Sequence, residues 1–346
     1  MTSQKFRIGI VGCGNISDMH AQAIINSERG ELFSAHSRTE SRLEAFCDTY
    51  DISGSTSYDE FLENPELEAV SICTPSGTHL DYGILAAEAG KHVIVEKPIE
   101  VTVERGRALI NSCKENGVQL AVIYQNRFID DVQKMKQMID AGEIGETILA
   151  SASVRWFRSQ EYYSESFWRG TFELDGGGVV INQSIHTIDL LQWFIGDVES
   201  VSGLTGTFTH NGIEAEDTAV ASLRFKNGAI GVFEGSTSIV PAQKRRIEVN
   251  GATGTALLEG DRFQKKPEAD QPEEPEDSGE AAGAASPLGG MEVLNHQRQF
   301  EQIFEAFAEN RVPVVSGDES LKSLAIVEAL YTSAEEKRVV FIDEIL

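Results

Sequence analysis

The chain has 346 residues, enough for about two cores, and its 41% hydrophobic and 8% aromatic content is that of a globular protein. A formal charge of −26 argues against nucleic acid as a partner, because phosphate binding calls for clustered Lys and Arg. No apolar run reaches the ~18–20 residues that span a bilayer, and MTSQKFRIGIVGCG enters a strand without a basic, then apolar, leader; a cytoplasmic protein is expected, with no membrane partner. From residue 5 to about 123, short apolar runs (FRIGIVG, LFSAHS, AVSICTP, HVIVEKP, QLAVIY) alternate with amphipathic helical stretches (HAQAIINS, SRLEAFCDTY, LDYGILAAEAG, ERGRALINSCKENG). Gly90 and Gly117 stand where two of these helices should stop. Strand–helix alternation predicts right-handed crossovers, hence a doubly wound parallel sheet of the Rossmann kind over 1–123.

Beyond residue 124 the runs lengthen (ILASASVRWF, VESVSGLTGTF, DTAVASLRFKNGAIGVFEGSTS, RRIEVNGATGTALLEG), and KNGA and NGATG supply hairpin glycines. With helices DDVQKMKQMIDAG and IHTIDLLQWFIG between them, these runs predict an α+β domain over 124–346, built on a large, mostly antiparallel open sheet. Segment 265–290 is rich in Pro, Glu, Gly and Ala and reads as a mobile acidic loop, or one that folds over the site. Two amphipathic helices (HQRQFEQIFEAFAEN, SLKSLAIVEALYTSAEE) and a short strand, RVVFID, follow it. Cys13, Cys47, Cys73 and Cys113 form no C-x-x-C pair and read as reduced thiols. The acidity fits a salt-adapted surface or an ordinary acidic enzyme; in either case an anionic substrate needs a local cationic pocket.

IGIVGCGNIS places Gly12-x-Gly14-x-x-Ser17 between the first strand and the first helix. Gly12 permits the turn, Gly14 admits a pyrophosphate against backbone, and Ser17 keeps the helix close to the strand, so a dinucleotide is the expected cofactor. The second strand ends in Ser37-Arg38 where an acid would grip a ribose hydroxyl. A hydroxyl with a guanidinium leans toward NADP, whereas a solvated Arg38 would leave NAD. CTPSGTH puts a Thr74-Pro75 turn at the carboxyl edge of the sheet, and His79 there is either a ligand group or a hydrogen-bonded residue opening a helix. Lys97, at the mouth of a buried strand, is either solvated or aimed at a bound molecule. In DGGGVVINQSIHTIDLLQWFIG, Asn182, His186 and Asp189 share a helical face, which suits His186 as a general base; a buried structural histidine and a metal ligand are the alternatives, and no third ligand stands at a suitable spacing, so no metal is expected.

Together GIVGCGNIS, CTPSGTH, VEKPI, YQNRF, SFWRGT, the 175–196 stretch and RRIEVNGATGTALLEG resemble the Gfo/Idh/MocA family of NAD(P)-dependent oxidoreductases over nearly the whole chain. The resemblance implies that Lys97 touches the reacting hydroxyl and the nicotinamide ribose, that His186 is the acid/base, and that Asn15, Ile16, Glu96, Gln125, Trp168 and Arg169 also line the cofactor. Asn182 replaces the aspartate of the family's usual Asp-x-x-x-His, which removes a charged helper. Within the family, RWFRSQEYYSESFWRGT and the glycine run look most like dehydrogenases that oxidise the 3-hydroxyl of UDP-N-acetylglucosaminuronate. Arg127, Arg155, Arg158, Tyr162 and Tyr163 would then offer cations and aromatic faces to a nucleotide-sugar, the alternative for RWFRSQEYY being a solvated strand end and loop. Rival expectations are a dehydrogenase of inositol, a free sugar or an anhydrosugar, and a non-catalytic dinucleotide-binding regulator. The resemblance also implies a homodimer or homotetramer.

Overall fold

The computed structural model describes residues 5–266 and 293–346. The chain divides into two compact units, Met1–Phe128 with Glu292–Leu321, and Ile129–Met291 with Lys322–Leu346. The acidic segment expected as a loop lies outside the described residues, except that positions 265 and 266 end a strand.

The first unit runs β1 (Phe6–Val11), α1 (Asn15–Asn26), β2 (Gly30–His36), α2 (Glu40–Tyr50), β3 (Ser53–Ser55), α3 (Tyr58–Leu62), β4 (Ala69–Ile72), α4 (His79–Glu88), β5 (His92–Val95), α5 (Val103–Glu115) and β6 (Leu120–Val122). All six strands are parallel, in the order β3-β2-β1-β4-β5-β6. The order reverses at β1, so the carboxyl ends of β1 and β4 flank the switch point where such sheets take ligands. Gly90 and Gly117 have φ of 72° and 67°, the left-handed conformation expected past a helix end.

The second unit runs α6 (Asp130–Asp140), β7 (Thr147–Arg155), α7 (Gln160–Ser164), α8 (Ile185–Ile195), β8 (Val198–Gly206), β9 (Thr218–Phe225), β10 (Ile230–Ser236), β11 (Arg246–Gly251), β12 (Thr255–Glu259) and β13 (Arg262–Lys266). After the segment not described, α9 (Val293–Ala308) and the start of α10 (Gly317–Glu336) belong to the first unit, and the rest of α10 with β14 (Val340–Phe341) to the second. The sheet has eight strands in the order β13-β12-β11-β7-β10-β9-β8-β14, antiparallel throughout except where β7 meets β10. Alternation turns Ala150, Ala152 and Val154 of β7 inward, and α8 packs on β7 and β11. The other register leaves Ile148, Val220, Ile230 and Val232 between 43% and 57% exposed.

This division corrects a single cut after residue 123. Phe300, Ile303, Phe304 and Phe307 of α9 share one core with Ile8, Ile10, Ile24 and Ala35. The Gln299 side chain accepts from the Tyr124 N–H at 3.0 Å and donates to the Val122 carbonyl at 2.8 Å, while the Val122 N–H donates to the Val315 carbonyl at 3.0 Å. Edge strand β6 is thereby covered by chain that returns from beyond the acidic segment.

Candidate active site

In the first unit, Gly12 has φ of 94°, and a Cβ there would meet Thr74 Cγ2 at 2.8 Å. No residue but glycine fits that turn. A Cβ on Gly14 would meet nothing within 4 Å, so its side is left open at the start of α1. Ser17 is fully buried and its hydroxyl donates to the Gly14 carbonyl at 2.5 Å. Exposed Asn15 and half-buried Ile16 follow the turn. The turn leaves room at the helix start, and its residues fit the pyrophosphate of a dinucleotide. Ser37 directly follows β2 and its hydroxyl accepts the Thr39 N–H at 3.2 Å; Arg38 beside it is exposed.

The Thr74-Pro75 turn sits where expected after β4, with Thr78 donating to the Thr74 hydroxyl at 2.8 Å. Two candidates near it turn inward. His79 is 1% exposed, with ring nitrogens 2.9 Å from the Pro98 carbonyl and 3.0 Å from that of Thr74, the second of the two readings open for it. Glu96 is 7% exposed: Oε1 lies 2.7 Å from His20 Nε2, and Oε2 accepts the Lys97 N–H at 3.1 Å. Lys97 itself is half-buried and opens a cis Lys97–Pro98 bond. Gln125 is buried, and its Oε1 has no protein donor among the described residues. Arg127, expected to face substrate, is 1% exposed and pairs with Glu319 at 3.1 Å inside this unit.

The second unit corrects the helical face drawn through Asn182, His186 and Asp189. A π-helical turn covers Val179–Gln183 and α8 starts only at Ile185, so the three do not follow one α-helical register. Asn182 and His186 are half-buried, whereas Asp189 is 1% exposed. Glu216 holds the glycine run in this turn, accepting from the Val180 N–H at 2.8 Å, the Gly178 N–H at 3.2 Å and the Tyr331 hydroxyl at 3.0 Å. Burial pushes its carboxyl up to about 7 against those donors.

Asn182 leads into a connected polar cluster. Its Nδ2 donates to Asp175 Oδ1 at 2.5 Å, and its Oδ1 accepts from Gln183 Nε2 at 2.7 Å. Gln183 also donates to the Tyr162 hydroxyl at 2.9 Å and accepts from Arg158 at 2.7 Å. The Arg158 and Arg169 guanidiniums lie 5.5 and 4.2 Å from the Tyr162 ring centre, and Arg169 lies 5.4 Å from that of Trp168. Burial lowers the Arg158 pKa, with the Tyr162 and Tyr163 hydroxyls opposing it. Arg169 Nε has no protein acceptor among the described residues. Trp168 and Arg169, expected at the cofactor, pack with Tyr162 in this cluster.

Of two further candidates, Arg155 stands apart from that cluster, whereas the Tyr163 ring meets that of Tyr162 edge-on with centroids 5.1 Å apart. Arg155 is engaged on the sheet by Glu234 and by Gln243 at 3.2 Å. Tyr163 is 6% exposed and bonded to the Thr237 hydroxyl at 3.1 Å. Sequence reasoning missed Asp175 and Gln183, although an acid opening the glycine run and an amide next to Asn182 were visible signals. It also missed His20.

Among the described residues, His20, Glu96 and His296 bring metal-ligand atoms within 4.8 Å of one another. Two donors on one tetrahedral zinc stand about 3.3 Å apart, so the 2.7 Å between His20 and Glu96 is a hydrogen bond. No helix among the described residues is long and apolar enough to cross a membrane.

Residues 6–124 match the domain described as oxidoreductase family, NAD-binding Rossmann fold, and residues 132–257 match the GFO/IDH/MocA C-terminal domain. The scyllo-inositol 2-dehydrogenase (NAD(+)) of Bacillus subtilis is 31% identical over 73% of this chain and 74% of that one. The myo-inositol 2-dehydrogenase of Thermotoga maritima is 26% identical over 98% of this chain and 99% of that one. Among solved structures, the WlbA dehydrogenase from Bordetella pertussis, in complex with NADH and UDP-GlcNAcA, superposes with a TM-score of 0.86 at 33% identity, covering 98% of this chain and 99% of that one.

Proposed function

The chain belongs to the Gfo/Idh/MocA oxidoreductase family and is an NAD(P)-dependent dehydrogenase acting on CH–OH; from that premise we propose that it oxidises the 3-hydroxyl of a UDP-N-acetyl-hexuronate. The observation that carries this reading is the Arg158–Tyr162–Arg169 cluster, tied through Gln183 to Asn182, which stands four residues before His186. A uronate carboxylate or a diphosphate pairs with guanidinium through charge-assisted, bidentate hydrogen bonds that the hydroxyls of a neutral polyol match only weakly. In a chain of charge −26 such a cluster also supplies the local positive potential that an anion needs.

Gly12, Gly14 and the first N–H groups of α1 would hold the cofactor pyrophosphate, and Ser37 and Arg38 the ribose, with NADP somewhat favoured over NAD. The bound nicotinamide supplies a hydride acceptor. His186 takes the hydroxyl proton, a contribution of about 10²–10⁴-fold for a positioned base, and Lys97 stabilises the charge developing on oxygen. The partner of this chemistry is a small nucleotide-sugar, in a cytoplasmic setting that suits four free thiols. A second copy of the chain is the proposed protein partner, covering the half-exposed Ile148, Val220, Ile230 and Val232 of the open sheet face in a dimer or tetramer.

Hydride transfer measured with UDP-N-acetylglucosaminuronate beside myo-inositol and glucose, each with NAD and NADP, tests the reading. A kcat/KM for the nucleotide-sugar well above that for both neutral compounds, lost in His186→Ala, is expected. The inositol-dehydrogenase relatives favour a second reading, and a preference for myo-inositol would establish it and overturn the first.

A further inference from the structure

Resting on the reading of Lys97 as catalytic, we propose that His20 and Glu96 form a buried bridge that positions Lys97 relative to the dinucleotide-binding helix. His20 lies in α1, the helix that opens on the Gly12–Gly14 cradle, and it is fully buried. Its Nε2 lies 2.7 Å from Glu96 Oε1, and its Nδ1 lies 2.8 Å from the Ser71 hydroxyl of β4 and 3.3 Å from Cys73 Sγ. The Phe300 ring meets the imidazole edge-on with centroids 5.3 Å apart, and the His296 ring lies at 5.6 Å. The ring is therefore fixed from four elements: its own helix, β4, the end of β5 and α9.

Glu96 follows β5 directly and uses both carboxylate oxygens, one toward His20 and the other on the Lys97 N–H. One residue further on, His79 Nδ1 lies 2.9 Å from the Pro98 carbonyl. The peptide N–H that precedes the Lys97 Cα and the carbonyl that follows Pro98 are thus held by side chains, the first from Glu96, itself bonded to α1, and the second from α4. That anchoring fixes the direction in which the lysine side chain leaves the sheet. It also couples that direction to α1, which would carry the pyrophosphate. A lysine acting as preorganised charge needs such fixation, since a displacement of about 1 Å at a reacting centre costs on the order of 10²-fold in rate. The role is positioning: His20 and Glu96 are buried in protein contacts and act through Lys97.

Three variants of the full chain test this: Glu96→Asp, too short to reach His20 and the Lys97 N–H together; His20→Phe, which keeps the ring and removes the bond; and Glu96→Gln, which can accept from the Lys97 N–H and donate to a neutral His20. Glu96→Asp and His20→Phe should lower kcat about 10–10²-fold, with the NAD(P)H dissociation constant near wild type and a larger primary deuterium isotope effect on kcat. Glu96→Gln should recover most of the rate. In a Lys97→Met background, Glu96→Asp should cost nothing further, which a merely structural role would not produce. Wild-type kcat in folded Glu96→Asp overturns the bridge even if His20→Phe fails to fold, and so does a multiplicative loss in the double variant. Wild-type turnover in Lys97→Met alone instead overturns the reading of Lys97 on which the bridge rests.

Discussion

Asn182 donates its side-chain N–H to Asp175 at 2.5 Å, and Asp175 is 2% exposed with its other oxygen accepting the Gly170 N–H at 2.9 Å. The carboxylate absent at position 182 is thus present one hydrogen bond away, supplied from the residue that opens the glycine run. An aspartate at 182 would set two carboxylates against each other in a site with little water. Such a pair holds one proton, so one of its pKa values rises. A group that binds its proton more tightly when folded loses stability as pH rises through that value. Asn182→Asp is therefore expected to melt close to wild type at pH about 5 and progressively below it toward pH about 8, checked by thermal denaturation across that range. A constant offset with pH would show that the two carboxylates do not meet.

Arg169 offers the cleaner test of the cation–aromatic cluster. Arg158 is 4% exposed and bonded to Gln183, so its loss would disturb the cluster itself. Arg169 is half-buried, donates to the Tyr162 carbonyl at 2.9 Å and keeps Nε free of protein acceptors among the described residues. A hydrogen bond to a charged group contributes about 1.5–3 kcal/mol, so Arg169→Leu should raise KM for UDP-N-acetylglucosaminuronate about 10–10²-fold. Turnover of a neutral sugar should stay at its wild-type level, however low. Steady-state kinetics with both substrates decide it; equal losses on both would make Arg169 a folding residue.

The ribose end yields a binding prediction. Ser37 directly follows β2, and its hydroxyl accepts the Thr39 N–H at 3.2 Å. An aspartate there can keep that local bond, since Asx and Ser turns share the geometry. It would also accept from a ribose 2′-hydroxyl and repel a 2′-phosphate. Ser37→Asp is expected to weaken NADPH about tenfold or more relative to NADH, an effect near 1.4 kcal/mol, read from reduced-cofactor fluorescence titrations. An unchanged ratio would place the ribose elsewhere.

How much of this was legible in the chain follows from the range of each cause. The turn at Gly12 and the helix stops at Gly90 and Gly117 are local backbone demands, and local sequence displays them. The alternation in β7 and β9 displays which face is buried. The amphipathic pattern of α9 showed a buried face, yet pattern alone does not name the partner, and that face joins a core containing Ile8 and Ile24. The register through Asn182 was misread because the π turn at Val179–Gln183 shifts the spacing by a fraction of a turn, and its support, Glu216, is 36 residues from the Val180 N–H it accepts. His20 looked like one more residue of a helix because Glu96 stands 76 residues away.

That same distant pair yields a stability profile whose sign can be worked out. Burial pulls the His20 imidazolium down, but Cys73 and Glu96 beside it more than reverse this and lift it from 6.5 to about 10. Glu96 is pushed up by burial and drawn down by His20, then Lys97 and His296, to about 2. A histidine whose folded pKa is raised contributes stability that is complete below its unfolded value and is lost as pH climbs through the folded one. For His20 the loss therefore runs from about 6.5 to about 10. For Glu96, depressed on folding, the contribution is present above about 4.5 and lost as pH falls through about 2. Both are whole only between about 4.5 and 6.5, and they describe one shared interaction rather than two. Glu96→Gln removes the charge and keeps the shape, so wild type should lose more of its denaturation midpoint than this variant between pH about 6 and pH about 10. Parallel curves for the two proteins would mean that His20 is neutral in the folded chain, with Glu96 holding it as a hydrogen-bond acceptor alone.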